Sequence, residues 1–173
     1  MTAPATIHVR PYQPADHAEV MTLAPRLAEW VAPWRDPATV LTAVHGWIQD
    51  SIDGLRQPGH AVYLAVDGQA IVGVVTVTER AHFTGQVDAY VGELAVRPGM
   101  ERRGIATQLM NAAETWAAHQ GLPFLTLETG AANQPARRLY QALGYREEDI
   151  RLTKPIPPRK PNTTQAGQDQ ATI

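Results

Sequence analysis

Cysteine is absent from all 173 residues. That removes disulfides, thiolate nucleophiles and every cysteine-ligated zinc or iron–sulfur site in one step. Serine is nearly absent as well: Ser51 stands alone, outside any Gly-x-Ser-x-Gly setting, so a covalent acyl-enzyme route has no credible nucleophile. A large excess of either charge is missing too. Fifteen Lys+Arg against seventeen Asp+Glu give a formal charge of -2, so no global basic field exists to hold nucleic acid or an anionic membrane, and an anion must be bound locally. The longest apolar run, around Ala70 to Val75, falls far short of the ~20 residues that span a bilayer. The start, MTAPATIHVR, has no basic segment followed by an apolar stretch, which reads as no signal peptide and a cytoplasmic protein. The six histidines show no metal-binding spacing, and no metal is expected.

What is present reads as one mixed domain. Ile7 and Val9 alternate with polar neighbours as a short strand. A helix follows from Pro14, and Pro25 should kink or end it near Ala24. Asp36 and Pro37 open a second helix with an apolar stripe of Val40, Leu41, Val44, Trp47 and Ile48, closed near Gly54. Val62–Val66 and Ile71–Val77 flank Asp67-Gly68 as a hairpin. Glu79–Gln86 reads as a polar turn or extended loop, and Val87–Val96 as a longer strand with a bulge at Gly92. From Gly104 an amphipathic helix runs to Gly121, then a short strand at Phe124–Leu127 and a helix from Asn133 to Gly144. Tyr145–Leu152 is a candidate for one more strand pair. Residues 155–173, rich in Pro, Gln and Thr, form an expected disordered tail behind a domain of residues 1–154. Strands met both as a hairpin and around a helical crossover give an α+β class, with a mixed, mostly antiparallel central sheet inside an αβα sandwich.

Chemistry concentrates after the long strand. Leu94-Ala95-Val96 leads through Arg97-Pro98-Gly99 to Arg102-Arg103-Gly104-Ile105-Ala106-Thr107, which is strand, loop and helix start. The first turn of a helix exposes N–H groups without partners, and small residues let a diphosphate approach that backbone. The Rossmann and P-loop fingerprints both fail here.

The tract from Tyr90 to Tyr145 resembles the Gcn5-related N-acetyltransferase (GNAT) superfamily. It carries the strand ending Glu93-Leu94-Ala95-Val96, the turn Arg102-Arg103-Gly104-Ile105-Ala106, and the helix Asn133-x-x-Ala136-x-x-Leu139-Tyr140-x-x-Leu143-Gly144-Tyr145. With the first strand and the hairpin placed as the family places them, the resemblance covers about Ile7 to Lys154. It implies acetyl-CoA as co-substrate, a primary amine as acceptor, and direct attack in a ternary complex. It also implies Leu94 to Val96 as the edge for pantetheine, Arg102 to Thr107 as the diphosphate cradle, a backbone N–H near Leu94 for the thioester oxygen, and Tyr140 as general acid. Ala136 lies in the same coenzyme-facing motif. Glu101 departs from the pattern, standing where the family has Gln or Arg, and should point to solvent.

Glu93 is the candidate base or amine-orienting group, with Asp88, Glu128 and His82 as alternatives. Asn133 has two roles open, as helix cap or as a pantetheine contact, and Arg137 and Arg138 face either the 3′-phosphate or solvent. Trp30, Trp34 and Trp47 read as core or interface anchors, with Trp30 or Trp34 also a candidate for lining the acceptor site. A small cationic amine is the expected partner. Peptide N-acetylation and a non-catalytic acyl-CoA sensor are the alternatives, and homodimer formation, common in the family, stays open.

Overall fold

A computed structural model describes residues 7–157. Five strands run in the order β1-β2-β3-β4-β5: β1 His8–Pro11, β2 His60–Asp67, β3 Ala70–Ala81, β4 Val87–Val96 and β5 Leu125–Leu127. The first four pair antiparallel and β5 pairs parallel to β4, which the crossover through α3 makes possible. The helices are α1 His17–Met21, α2 Pro37–Gly54, α3 Ile105–His119 and α4 Gln134–Ala142.

Two cores flank the sheet. Val20, Val44 and Ile48 of α1 and α2 pack on Leu64, Ile71 and Val74, while Ile105, Leu109 and Met110 of α3 pack on Val72, Val75 and Val91. Each of these side chains contributes about 1.5–3 kcal/mol by leaving water. Gly73 sets how closely α3 approaches: a Cβ there would lie 2.9 Å from Leu109 Cδ1 and 3.0 Å from Ile105 Cγ2. The start of α3 is therefore held directly over the end of β4. Asp36 caps α2 by accepting from Thr39 N–H at 2.8 Å, as the Asp-Pro start predicts.

Four expectations need correction. Pro14–Met21 is a 3₁₀ turn and a short α1, and the proline at 25 falls inside a second 3₁₀ segment, Ala24–Ala28, so the first helix breaks earlier than predicted. Glu79–Ala81 is strand, paired with Ala89–Val87, and only residues 82–86 turn. The stacking of Arg80 on the Tyr90 ring at 4.2 Å supports that polar extension. Tyr145–Leu152 forms no strand. Tyr145 turns inward, its hydroxyl donating to Glu114 Oε1 at 3.1 Å, and the charged residues after it stay exposed. Trp47 does not join the core stripe of α2: it is 46% exposed. Most of the expected tail, residues 158–173, lies outside the described residues, and 155–157 carry no regular structure.

Candidate active site

The site begins with a mismatch in strand pairing. β5 pairs only with Ala89, Tyr90 and Val91 of β4, so the second half of β4 has a partner on the β3 side alone. A bulge marks the change. Val77 faces Val91 and Val75 faces Leu94, which leaves Gly92 and Glu93 opposite the single residue Thr76. Arg97 N–H donates to Val72 O at 2.8 Å, so alternation along the strand turns the peptide groups of Leu94 and Val96 away from β3, toward the free edge. Ala95 is the exception among the expected coenzyme contacts. Its peptide groups enter the β3 ladder and its methyl is buried, so it spaces the two edge residues without presenting a group of its own.

Beyond that edge the chain bends through three residues with positive φ, Gly99 at 80°, Arg102 at 62° and Gly104 at 75°. Gly104 is the N-cap of α3 and supplies no side-chain cap. The first intrahelical bond is Gln108 N–H to Gly104 O at 3.0 Å, and among the described residues the N–H groups of Arg102 to Thr107 donate to no protein acceptor. A Cβ on Gly104 would meet nothing within 4 Å. Open space over a row of free donors fits a diphosphate, and the partial positive charge of the helix start favours it. Arg102 and Arg103 are exposed beside it, Ile105 is buried as an anchor, and Ala106 and Thr107 are half-buried.

On the α2 face, a cleft of about 300 Å³ opens beside the bulge. Trp47, Asp50 and Ser51 line it from α2, Thr76 and Thr78 from β3, and Tyr90, Gly92 and Glu93 from β4. Glu93 is 7% exposed. Ser51 donates to its Oε2 at 2.8 Å and Thr76 donates to the same oxygen, while Thr76 Oγ1 accepts from Glu93 N–H at 3.0 Å. Among the described residues the other carboxylate oxygen has no hydrogen-bond partner. Burial pushes the Glu93 carboxyl above the usual range, the two hydroxyls pull it partly back, and neighbouring Asp50 adds a further push upward. Gly92 makes this possible, since a Cβ there would lie 2.9 Å from Thr76 Oγ1.

Tyr140 approaches from the opposite face. It packs in the cluster that includes Leu94 and Val96, and its ring stands 5.8 Å from that of Tyr145. Burial pushes its phenol up to about 12, so it stays protonated through the neutral range. Glu93 and Tyr140 thus flank one free strand edge from its two sides.

Other candidates are placed differently. Asp88 is buried at the far end of β4, accepting from Gln86 Nε2 at 2.7 Å, roughly 16 Å of strand from Glu93. Glu128 is exposed and pairs with Arg80 at 3.5 Å and Arg151 at 3.2 Å. His82 lies in the β3–β4 turn beside Thr84. None of the three lines the cleft. Trp30 and Trp34 are exposed and also stand apart from it, although the Trp30 carbonyl packs so tightly on Gly130 that a Cβ there would come within 2.3 Å. Asn133 caps α4 by accepting from Ala136 N–H at 3.2 Å, and its amide donates to Thr129 Oγ1 at 3.3 Å. Arg137 pairs with Glu147, and Arg138 is exposed. Glu101 does not simply face solvent: its Oε1 accepts from Arg26 Nη2 at 2.9 Å.

The sequence reading missed Trp47, Asp50, Thr76 and Tyr90 as site residues and took Ser51 only as a failed nucleophile. One signal was available. Trp47, Asp50 and Ser51 share a helix face at i, i+3 and i+4, and polar residues beside a tryptophan on an otherwise apolar helix mark a face turned to something other than core.

The fold is thus a mixed sheet that loses a partner strand along β4 and runs on into a glycine turn at the start of α3. Residues 21–145 match the model of the acetyltransferase (GNAT) family, and the chain belongs to that family. It is 30% identical over 105 residues to the uncharacterized N-acetyltransferase YycN of Bacillus subtilis, a match covering 60% of this chain and 66% of that protein. It is 24% identical over 106 residues to the aminoglycoside N(6')-acetyltransferase type 1 of Salmonella typhimurium, covering 59% of this chain and 73% of the relative. A putative acetyl transferase from Pyrococcus furiosus shares the fold at a TM-score of 0.71 and 20% identity, over 87% of this chain and all of the other. Among the described residues no helix is long and apolar enough to cross a membrane.

Proposed function

We propose that the chain is an N-acetyltransferase that moves the acetyl group of acetyl-CoA onto a primary amine of a small cationic molecule by direct attack. The observation that carries this reading is the free edge of Leu94 and Val96 running into the open turn at Gly104, with Glu93 on one side and Tyr140 on the other. Acetyl-CoA would supply the activated thioester. The N–H groups of Arg102 to Thr107 would hold its diphosphate, and the edge of Leu94 and Val96 its amide-bearing arm, added as a short extra strand.

The residues divide the remaining work. An ammonium with pKa ~10 has no lone pair, so Glu93 takes its proton through the free carboxylate oxygen, directly or through a water. Its raised pKa makes it a stronger base than an exposed carboxylate. The Leu94 N–H donates to the thioester oxygen as that oxygen gains charge, a contribution of roughly 10²–10³ in rate for such preorganised donors. Nitrogen bonds to the acyl carbon and releases its second proton to water, the carbon–sulfur bond breaks, and the sulfur leaves as thiolate. Tyr140 meets it. Full transfer from a phenol near 12 to the anion of a thiol with pKa ~8.5 is uphill, so Tyr140 serves first as hydrogen-bond donor to sulfur and hands over its proton as solvent restores its own.

The cleft supports the acceptor class. Two carboxylates, Glu93 and Asp50, with the rings of Trp47 and Tyr90, favour a cation over an anion, and about 300 Å³ suits a small molecule. The Salmonella relative named above is an aminoglycoside acetyltransferase, and its name likewise denotes an acceptor that is a small polycationic amine. Thiol release from acetyl-CoA across a panel of amines, with peptides included, tests the reading. Tyr140→Phe should lower kcat by roughly 10²-fold while CoA affinity measured by calorimetry stays within about twofold. Tight CoA binding with no thiol release from any amine or peptide would instead mark a sensor.

A further inference from the structure

Arg26 lies outside every motif singled out in the sequence, yet its guanidinium ties together the two parts of the coenzyme side. Its Nε donates to Val96 O at 3.0 Å, and its Nη2 donates to Glu101 Oε1 at 2.9 Å. A third bond from Nη1 reaches Glu29. The Val96 carbonyl belongs to the free edge of β4, and Glu101 belongs to the turn before Arg102. One side chain, projected from the 3₁₀ segment Ala24–Ala28, therefore spans the strand end and the cradle. Glu19 of α1 makes a parallel tie at Arg97, Oε1 to Nη2 at 2.6 Å, so the stretch 97–101 is gripped from two points of the same flanking segment.

Glu101 is where this matters. A carboxylate one residue before a row of N–H donors opposes any phosphate they hold. We infer that Arg26 is a positioning residue for coenzyme binding, neutralising Glu101 and holding its carboxylate back from the diphosphate cradle. The inference rests on the cradle reading above and adds to it an acidic residue whose charge Arg26 offsets. It also links the two sides of the enzyme, since Arg26 sits on the segment that leads into the loop before α2.

A double-mutant cycle on the full chain reads this out, with CoA as titrant in low-salt calorimetry. Arg26→Ala should raise the CoA Kd roughly five- to tenfold, the size of one uncompensated charge near a phosphate at a protein surface. Glu101→Gln should bind CoA as well as the unmodified chain or better. Adding Glu101→Gln to Arg26→Ala should recover most of the loss, and added salt should shrink the difference. An unchanged Kd in Arg26→Ala, or the same loss whether residue 101 is Glu or Gln, would overturn the inference. If Arg26→Ala fails to fold, Arg26→Gln enters the same cycle, because it keeps a donor for Val96 O while removing the charge and the Nη donors to Glu101 and Glu29. Gly104→Glu measured alongside separates the two levels. CoA binding unaffected by Gly104→Glu means the cradle itself is misplaced, whereas binding lost there with no coupling between Arg26 and Glu101 refutes this inference alone.

Discussion

The free edge of β4 and its α2 face arise from one stretch of strand and form opposite kinds of site. Its edge at Leu94 and Val96, with the turn to Gly104, offers main-chain groups: peptide N–H donors, positive φ angles and open space. The α2 cleft beside Glu93 offers side chains: two hydroxyls on one carboxylate oxygen, a second acid and two aromatic rings. A backbone site recognises what every coenzyme molecule shares, and few substitutions alter it. A side-chain site can be rewritten residue by residue, which suits it to the partner that varies among relatives. The difference also predicts how each can be broken: the first by occupying space, the second by shifting a charge.

The largest expected effect is on the main-chain side. Gly104→Glu should weaken CoA binding by about 100-fold or more, because it places a carboxylate in the space now open above the free N–H groups. Gly104 has φ of 75°, so any side chain there also costs about 1–2 kcal/mol of stability. Gly104→Ala separates the two terms: it should show the same drop in melting temperature with a much smaller loss of affinity. Equal losses in both variants would mean that strain, and not the cradle, governs binding.

This contrast also governs what could be read from the sequence. The bulge at Gly92, the α3 start at Gly104 and the Asn133 cap were legible because glycine, asparagine and proline carry local backbone rules that hold wherever they occur. Glu93 and Tyr140 were singled out with the help of family resemblance. Thr76 and Ser51 were not, because they meet Glu93 from 17 and 42 positions away, and no local rule encodes such a meeting. Asp88 and Glu128 were the alternatives to Glu93 among the acids of this region. Strand geometry places Asp88 far along β4, and Glu128 is engaged by Arg80 and Arg151. Arg26 escaped for the same reason as Thr76: its partners, Val96 and Glu101, lie 70 and 75 residues on.

On the side-chain side the effects are smaller and show in the pH profile. Ser51→Ala removes one of two hydroxyls that stabilise the ionised Glu93. Losing a stabiliser of the charged form raises the pKa, so less of the base is ionised at a given pH. The acidic limb of kcat/KM should move upward by roughly half to one pH unit, with activity on the alkaline side of the limb little changed. Using one amine for every variant cancels the contribution of the amine's own titration. A limb that stays in place would detach Glu93 from the proton-removal role.

The smallest effect is the most discriminating, because it has the opposite sign. Asp50 adjoins Ser51 on α2, and as an anion near Glu93 it disfavours a second negative charge. Asp50→Asn removes that repulsion, lowers the Glu93 pKa, and should move the acidic limb downward by less than about half a unit, since Asp50 is exposed and water screens it. The same change removes one of two acids facing a cationic acceptor, so KM for a doubly charged amine should rise severalfold while KM for a singly charged one stays nearly constant. Two neighbouring substitutions that shift one limb in opposite directions are hard to attribute to loosened packing, which would move both the same way. If Ser51→Ala and Asp50→Asn shift the limb together, the titrating group is not Glu93, and the base must be sought among the other groups that reach the free edge of β4.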